Sequence, residues 1–196
     1  MAVNHSQNVL DLIDSLLTRV ADLEASRTLG PQAPKLIRPT TLAAPAASVT
    51  FSAIPAYSNL RLEWRARLTS GGPTDLEMQV DANSSALYLW SKMESASASQ
   101  ANFHSGAAAT LMKIGAVGGS TAGYFGNGSL TIAGWANATG YVSFSGTSAH
   151  FDSNSVDYIG TYGGLYASVA PHNSLMIFPA SGSFAAGSQF SLYGVN

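Results

Sequence analysis

Leu60-Arg61-Leu62-Glu63-Trp64-Arg65-Ala66-Arg67-Leu68 decides the fold of this chain. Every even position is apolar and every odd position is charged. A β-strand sends successive side chains to opposite faces, whereas a helix repeats every 3.6 residues. The stretch is therefore a strand with one face for a core and one for water. Period two recurs in Leu76, Met78 and Val80, and in Leu87 and Leu89 set against Tyr88 and Trp90. Further strands are expected over 111–117, 129–135, 141–145, 156–162, 165–169, 175–178 and 189–193. Short turns rich in Gly, Asn and Ser separate them, as in an antiparallel β-sandwich of jelly-roll-like type. Residues 95–109, rich in Ala and Ser, are weakly patterned and read as a surface loop.

Upstream the period changes. Val9, Ile13, Leu16, Val20 and Leu23 step by four, three, four and three, the spacing of a coiled-coil seam. A second seam, Leu10, Ile13, Leu17 and Val20, shares two positions, and Leu12 widens the apolar face. A helix is predicted over 6–29, with Ser6 as N-cap and Gly30-Pro31 as its stop. A helix of this length is marginal alone, so its apolar face needs cover. The first seam puts Ile13 and Val20 at a and Leu16 and Leu23 at d, which favours two strands. The second puts Leu at a with Ile or Val at d, which favours three or four. The width of the face leads to a homotrimer; packing on the chain's own β domain is the alternative. Residues 30–47 hold Pro31, Pro34, Pro39 and Pro45, a density that prevents helix and gives an extended connector. Three zones result: an oligomerisation and anchoring helix (1–29), a Pro-rich linker (30–47) and a β domain (48–196).

The 196 residues include no cysteine, so neither a disulfide nor a thiolate metal site is available, which suits a reducing cytosol. The N-terminus mixes acidic with apolar residues, unlike a signal peptide, and no apolar run reaches the roughly 20 residues of a membrane span. A net charge of −2 without a basic stripe argues against nucleic acid as a partner. The distribution of charge says more. Beyond Lys113 the only Asp, Glu, Lys or Arg residues are Asp152 and Asp157. Such a surface must be covered by neutral polar groups or by other subunits.

Constellations that carry chemistry are sparse. His5, His104, His150 and His172 fall in no H-x-x-x-H or H-E-x-x-H spacing and read as surface or turn residues. No G-x-S-x-G elbow occurs. Asp75, Glu77 and Asp81 are of the residue type used in glycoside hydrolysis, but their alternation is also that of a solvated strand face. Glu63 among arginines reads as an exposed ion-pair ladder. Asp152, Asn154 and Asp157 offer oxygens that suit calcium, yet a β-turn uses the same residues. No catalytic residue, metal ligand or cofactor is assigned. Aromatic residues set among Asn, Ser and Gly, above all Trp135, Tyr141, Tyr158 and Tyr162, form a candidate surface for stacking on glycan rings or for subunit contact, although packing in the core or between subunits is the stronger reading for most of them.

The C-terminal stretch 182–196, GSFAAGSQFSLYGVN, reads as a closing strand with Phe190 and Leu192 on the core side. Its wording resembles the signature FAAGS-x-FSLYG-(I/V) that ends a family of small virion structural proteins of tailed bacteriophages. SAIPAYSNLRL at 52–62 resembles that family's opening strand, and 75–93 its following strand, loop and Y-x-W element. IAGWANATGY at 132–141 is similar to its I-x-x-Y-A-N-T-x-K-Y segment, and 164–178 to its G-L-W strand pair. Gly140 stands where that segment has lysine, and the family's loop Asn-Gly pair is diluted around Ala82-Asn83-Ser84. The resemblance spans 48–196 and leaves out the helix and linker. It implies a β-sandwich displayed on a virion, with no enzymatic residues to carry over. With the helix, it leads to the expectation of a non-enzymatic, trimeric capsid-decoration or head-fibre protein. Such a protein would assemble in the host cytoplasm and sit on the virion surface against other virion proteins such as the major capsid protein, without nucleic acid or membrane. A tail-associated module that attaches the virion to host-surface glycans is the rival.

Overall fold

The alternation in 60–68 builds the strand it predicts. In the computed structural model, which describes residues 33–96, 101–150 and 158–196 together with Leu16, Leu17 and Arg19, the side chains of Leu60, Leu62, Trp64 and Ala66 are buried. Arg61 and Arg65 between them face solvent. Twelve strands occur among the described residues: β1 (Lys35–Thr41), β2 (Val49–Phe51), β3 (Asn59–Ala66), β4 (Thr74–Val80), β5 (Tyr88–Ala96), β6 (Ala101–Ala109), β7 (Met112–Val117), β8 (Gly126–Ala133), β9 (Val142–His150), β10 (Tyr158–Tyr166), β11 (Leu175–Pro179) and β12 (Gln189–Val195). They pair antiparallel into a larger sheet, β1-β12-β3-β8-β9-β10-β5-β6, and a smaller one, β2-β11-β4-β7. Leu60, Leu62, Leu130 and Leu192 of the larger sheet share one apolar core with Leu76, Met78, Met112 and Ile177 of the smaller. Two antiparallel sheets around a common core make a β-sandwich.

This β unit begins at Pro34, and residues 1–33 form a unit of their own. Of the predicted seam, Val9, Ile13, Val20 and Leu23 lie outside the described residues, as do Asp152, Asn154 and Asp157 of the acidic turn. Leu16 and Leu17 are described and exposed.

Three segments differ from the sequence reading. Residues 35–41, read as connector, form β1 and pair with β12 at the sheet edge, where a proline's missing N–H is tolerated at Pro39. Residues 101–109, read as part of a loop, form β6 and pair with β5. Its period is hidden because the strand is exposed along nearly its whole length, so no apolar alternation is needed. Residues 158–162 and 165–166 of two predicted strands belong to one strand, β10, since Gly163 and Gly164 stay within the ladder instead of turning, while 167–169 lie beyond its end.

Trp64 keys the core at the junction of the sheets. Its indole lies against Gly115 of β7 and Gly128 of β8, where a Cβ would collide with the ring. Its Nε1–H donates to the Ala116 carbonyl at 3.3 Å. At the closing strand Phe190 and Leu192 are on the core side, and Phe184 packs edge-on against Phe190 with ring centroids 4.9 Å apart.

Candidate functional site

β5 turns its charges inward. Tyr88, Trp90, Lys92 and Glu94 alternate with outward Leu89, Ser91 and Met93, and Lys92 is only 7% exposed. Its ammonium donates to Asp75 of β4 at 2.8 Å and to Glu94 at 2.9 Å. Lys113 of β7 donates to the second Asp75 oxygen and lies 5.1 Å from the Trp90 ring centroid. His104 of β6 flanks Glu94 at 3.6 Å.

Each charge is tuned by the others. Burial alone would raise the Asp75 pKa, but hydrogen bonds from Lys113 and Lys92 outweigh it and hold the carboxyl below its ordinary value. Burial would likewise lower Lys92, and Asp75 and Glu94 instead hold it above its ordinary value. Glu77, 8% exposed, is pushed up by burial against the pull of Lys113. The phenol of Tyr162 is raised by burial and by the fields of Glu94 and Asp75. Asp75 and Lys92 are thus both ionised across neutral pH, so neither is poised to exchange a proton. The cluster ties β4, β5 and β7 together, beside a pocket of about 330 Å³ that Pro73, His150 and Tyr158 also line. There the Tyr158 ring stacks on buried His150 at 4.5 Å.

A second polar cluster lies where β4 ends. The turn is closed by the Asn83 N–H donating to the Val80 carbonyl at 2.9 Å, with φ of 52° at Asp81 and 51° at Ala82. Positive φ at both central positions is what a type I′ turn requires. One Asp81 oxygen accepts the N–H groups of Asn173 and Ser174 at 3.0 Å, and the other lies 2.8 Å from His172 Nδ1. Burial opposes ionisation of Asp81, but these bonds prevail and keep its pKa low. The imidazole is buried between the Trp135 ring at 5.6 Å and the Tyr166 ring at 5.3 Å. An Asp–His pair is part of a hydrolytic triad. Here His172 Nε2 is buried with no hydrogen-bond partner, so among the described residues no nucleophile is in hydrogen-bond contact with it. The pair anchors the segment before β11 to the β4 turn.

The four predicted aromatics do not converge. Trp135 is fully buried against His172, and Tyr162 is 4% exposed on the inner side of the larger sheet, so neither offers a ring to a glycan or to another subunit. Tyr141 is exposed and Tyr158 borders the pocket. His150 and His172, read as surface or turn residues, are buried; His150 ends β9, whereas His172 does lie in the connection between β10 and β11. Asp75 and Glu77, read as a solvated face, are drawn inward where the β4–β7 ladder shifts register between Leu76 and Glu77. Arg61 and Glu63 do form the exposed ion pair expected of them, at 2.7 Å. The ion cluster itself had a signal in the sequence: Lys92 and Glu94 share the parity of Tyr88 and Trp90.

Among the described residues no group of three or more His, Asp or Glu side chains is arranged to hold a metal ion. No helix among them is long and apolar enough to cross a membrane. No protein-family model matches the chain, and no curated protein sequence matches it.

Proposed function

We propose that this chain is a non-enzymatic structural protein of a tailed-phage virion, a trimeric capsid-decoration or head-fibre protein displayed on the particle surface. The observation that carries the reading is the closing segment. The phrase FAAGSQFSLYG, which resembles the phage signature, is also the segment that inserts β12 between β1 and β3. A signature that is structural in this way fits a scaffold better than a reactive site. The strand order supports a jelly-roll-like reading of the sandwich, a fold used in capsid proteins. Count β2 to β7 as strands one to six, the β8–β10 meander as seven and β11 as eight. The smaller sheet then reads one-eight-three-six, and the larger contains two-seven-four-five. With the meander counted as one strand, that order matches the two sheets of an eight-stranded jelly roll, with β1 and β12 added at one edge. The N-terminal helices would bundle three copies and anchor them, with other virion proteins such as the major capsid protein as partners.

The test is to purify mature heads free of tails and quantify this chain by mass spectrometry. A fixed copy number, in multiples of three, is expected; heads without the chain would sink the capsid reading. A second reading, attachment to a host-surface glycan, is favoured by one observation: Tyr158 and two carboxylates border the same pocket. It predicts glycan binding by the purified chain that Tyr158→Ala removes.

A further inference from the structure

The outward face of β8, β9, β10, β5 and β6 carries no Asp, Glu, Lys or Arg. One row across it runs Ser129–Thr147–Thr161–Met93–Phe103. In this row hydroxyls fill the β8–β9 end and apolar groups the β5–β6 end, where Met93 is 53% and Phe103 71% exposed; Ile159 of the adjacent β10 is 65% exposed. A sheet face in water normally sets its polar and charged residues outward. β5 does the reverse, with Lys92 and Glu94 inside and Leu89 and Met93 outside. Such a strand loses twice against water, by desolvating ions and by exposing apolar surface. Against protein on its outer side, it loses only once. The sheet edges agree with this. β1 at one edge carries Lys35, Arg38 and Pro39, the usual protections of a free edge. β6 at the other has none of the three residue types, and His104 is its one titratable side chain.

We propose that this charge-free face is covered by a further copy of this chain, making it the contact between β domains. The proposal rests on the reading of the chain as a homo-oligomer, not on its place in a virion; because the face meets itself about a two-fold axis, it joins β domains in pairs and is separate from the three-fold bundling proposed for the helices. Charge selects the occupant: a face without ions meets its own copy with no like-charge repulsion, and it offers a charged partner no complementary field. Area agrees. Five strands about 4.8 Å apart, with rows about 20 Å long and side-chain margins, give on the order of 600 Å² per copy. The total of about 1,200 Å² reaches the lower bound of stable, specific interfaces.

The test uses the full chain, with light scattering over a range of concentrations and mass-spectrometric mapping of Met93 oxidation by dilute peroxide. An oligomer is expected in which Met93 oxidises several-fold more slowly than in Phe103→Glu or Thr147→Lys. Both of these side chains point away from the core, and circular dichroism checks that each variant folds. Thr147→Lys lies at the hydroxyl end, so it keeps the test alive should Phe103→Glu disturb β6. An oligomer whose Met93 reacts equally fast in all three proteins overturns the face and leaves a helix-built oligomer standing. A wild-type monomer at every concentration overturns both readings. Protection of Met93 only after a different purified protein is added overturns the choice of a second copy.

Discussion

Strands β3 and β5 lie in one sheet and are amphipathic in opposite senses. β3 buries Leu60, Leu62 and Trp64 and sets Arg61, Glu63 and Arg65 outside. β5 buries Lys92 beside Glu94 and sets Leu89 and Met93 outside. The first pattern is the ordinary response of a strand to one dry and one wet face. The second arises where the inner side is a polar seam between the sheets. Position in the sheet makes the difference: β3 faces the centre of the apolar core, whereas β5 runs beside Asp75 of β4 and Lys113 of β7. Period two alone identifies a strand, and it does not say which side is the solvent.

Removing the buried cation of β5 has the largest expected effect. Lys92→Met leaves Asp75 with one ammonium and Glu94 with His104 alone, in a site largely closed to water. Breaking a buried pair from one side is costly, and a loss of about 3 kcal/mol is expected, read as a lower urea midpoint at pH 7. The sign of its pH dependence follows from the raised Lys92 pKa. The contribution is complete below the ordinary value of 10.5 and disappears as pH rises through the folded-state value. A variant as stable as wild type at pH 7 would show that the ions do not hold β4, β5 and β7 together.

The outward positions of β3 were legible because charge and apolarity alternate there without exception. Strand existence was legible wherever one face is apolar, as in β4, β11 and β12. It failed where that contrast is missing: β6 is exposed along its length, and β1 hides among prolines. Site residues were harder to read. Small polar residues surround Trp135 and Tyr162 in sequence, which left a binding surface and core packing both open; cross-strand neighbours far along the chain place both rings in the interior. Asp75 and Glu77 are buried beside Lys92 and Lys113, partners from β5 and β7 that no local pattern announces.

Glu77 has the opposite sign to Lys92, because its burial works against the fold. Its folded-state pKa is raised above the ordinary 4.5, so at neutral pH the ionised carboxylate destabilises, and protonation relieves it as pH falls. Asp75 and Asp81 have lowered values, so their support persists above 3.8 and is lost only as pH falls below it. These groups together give a rise in stability on mild acidification, followed by a fall in strong acid. Glu77→Gln is expected to raise the urea midpoint at pH 7 by less than Lys92→Met lowers it. In that variant the mild-acid rise should vanish. A variant with an unchanged pH profile would assign the rise to another group.

The smallest effect belongs to the wet face of β3. Arg61 and Glu63 pair at 2.7 Å, but their side chains are 49% and 37% exposed, so water already solvates both ions. Glu63→Ala should cost about 0.3 kcal/mol, and less still at high salt, where screening removes what attraction remains. Arg61 keeps its hydration after the change, whereas Asp75 and Glu94 keep little of theirs once Lys92 is gone. The ratio between the two losses, about tenfold, is the quantity that separates a strand facing water from a strand facing protein. Equal losses from Glu63→Ala and Lys92→Met, measured in the same urea series, would remove the distinction between the two strands.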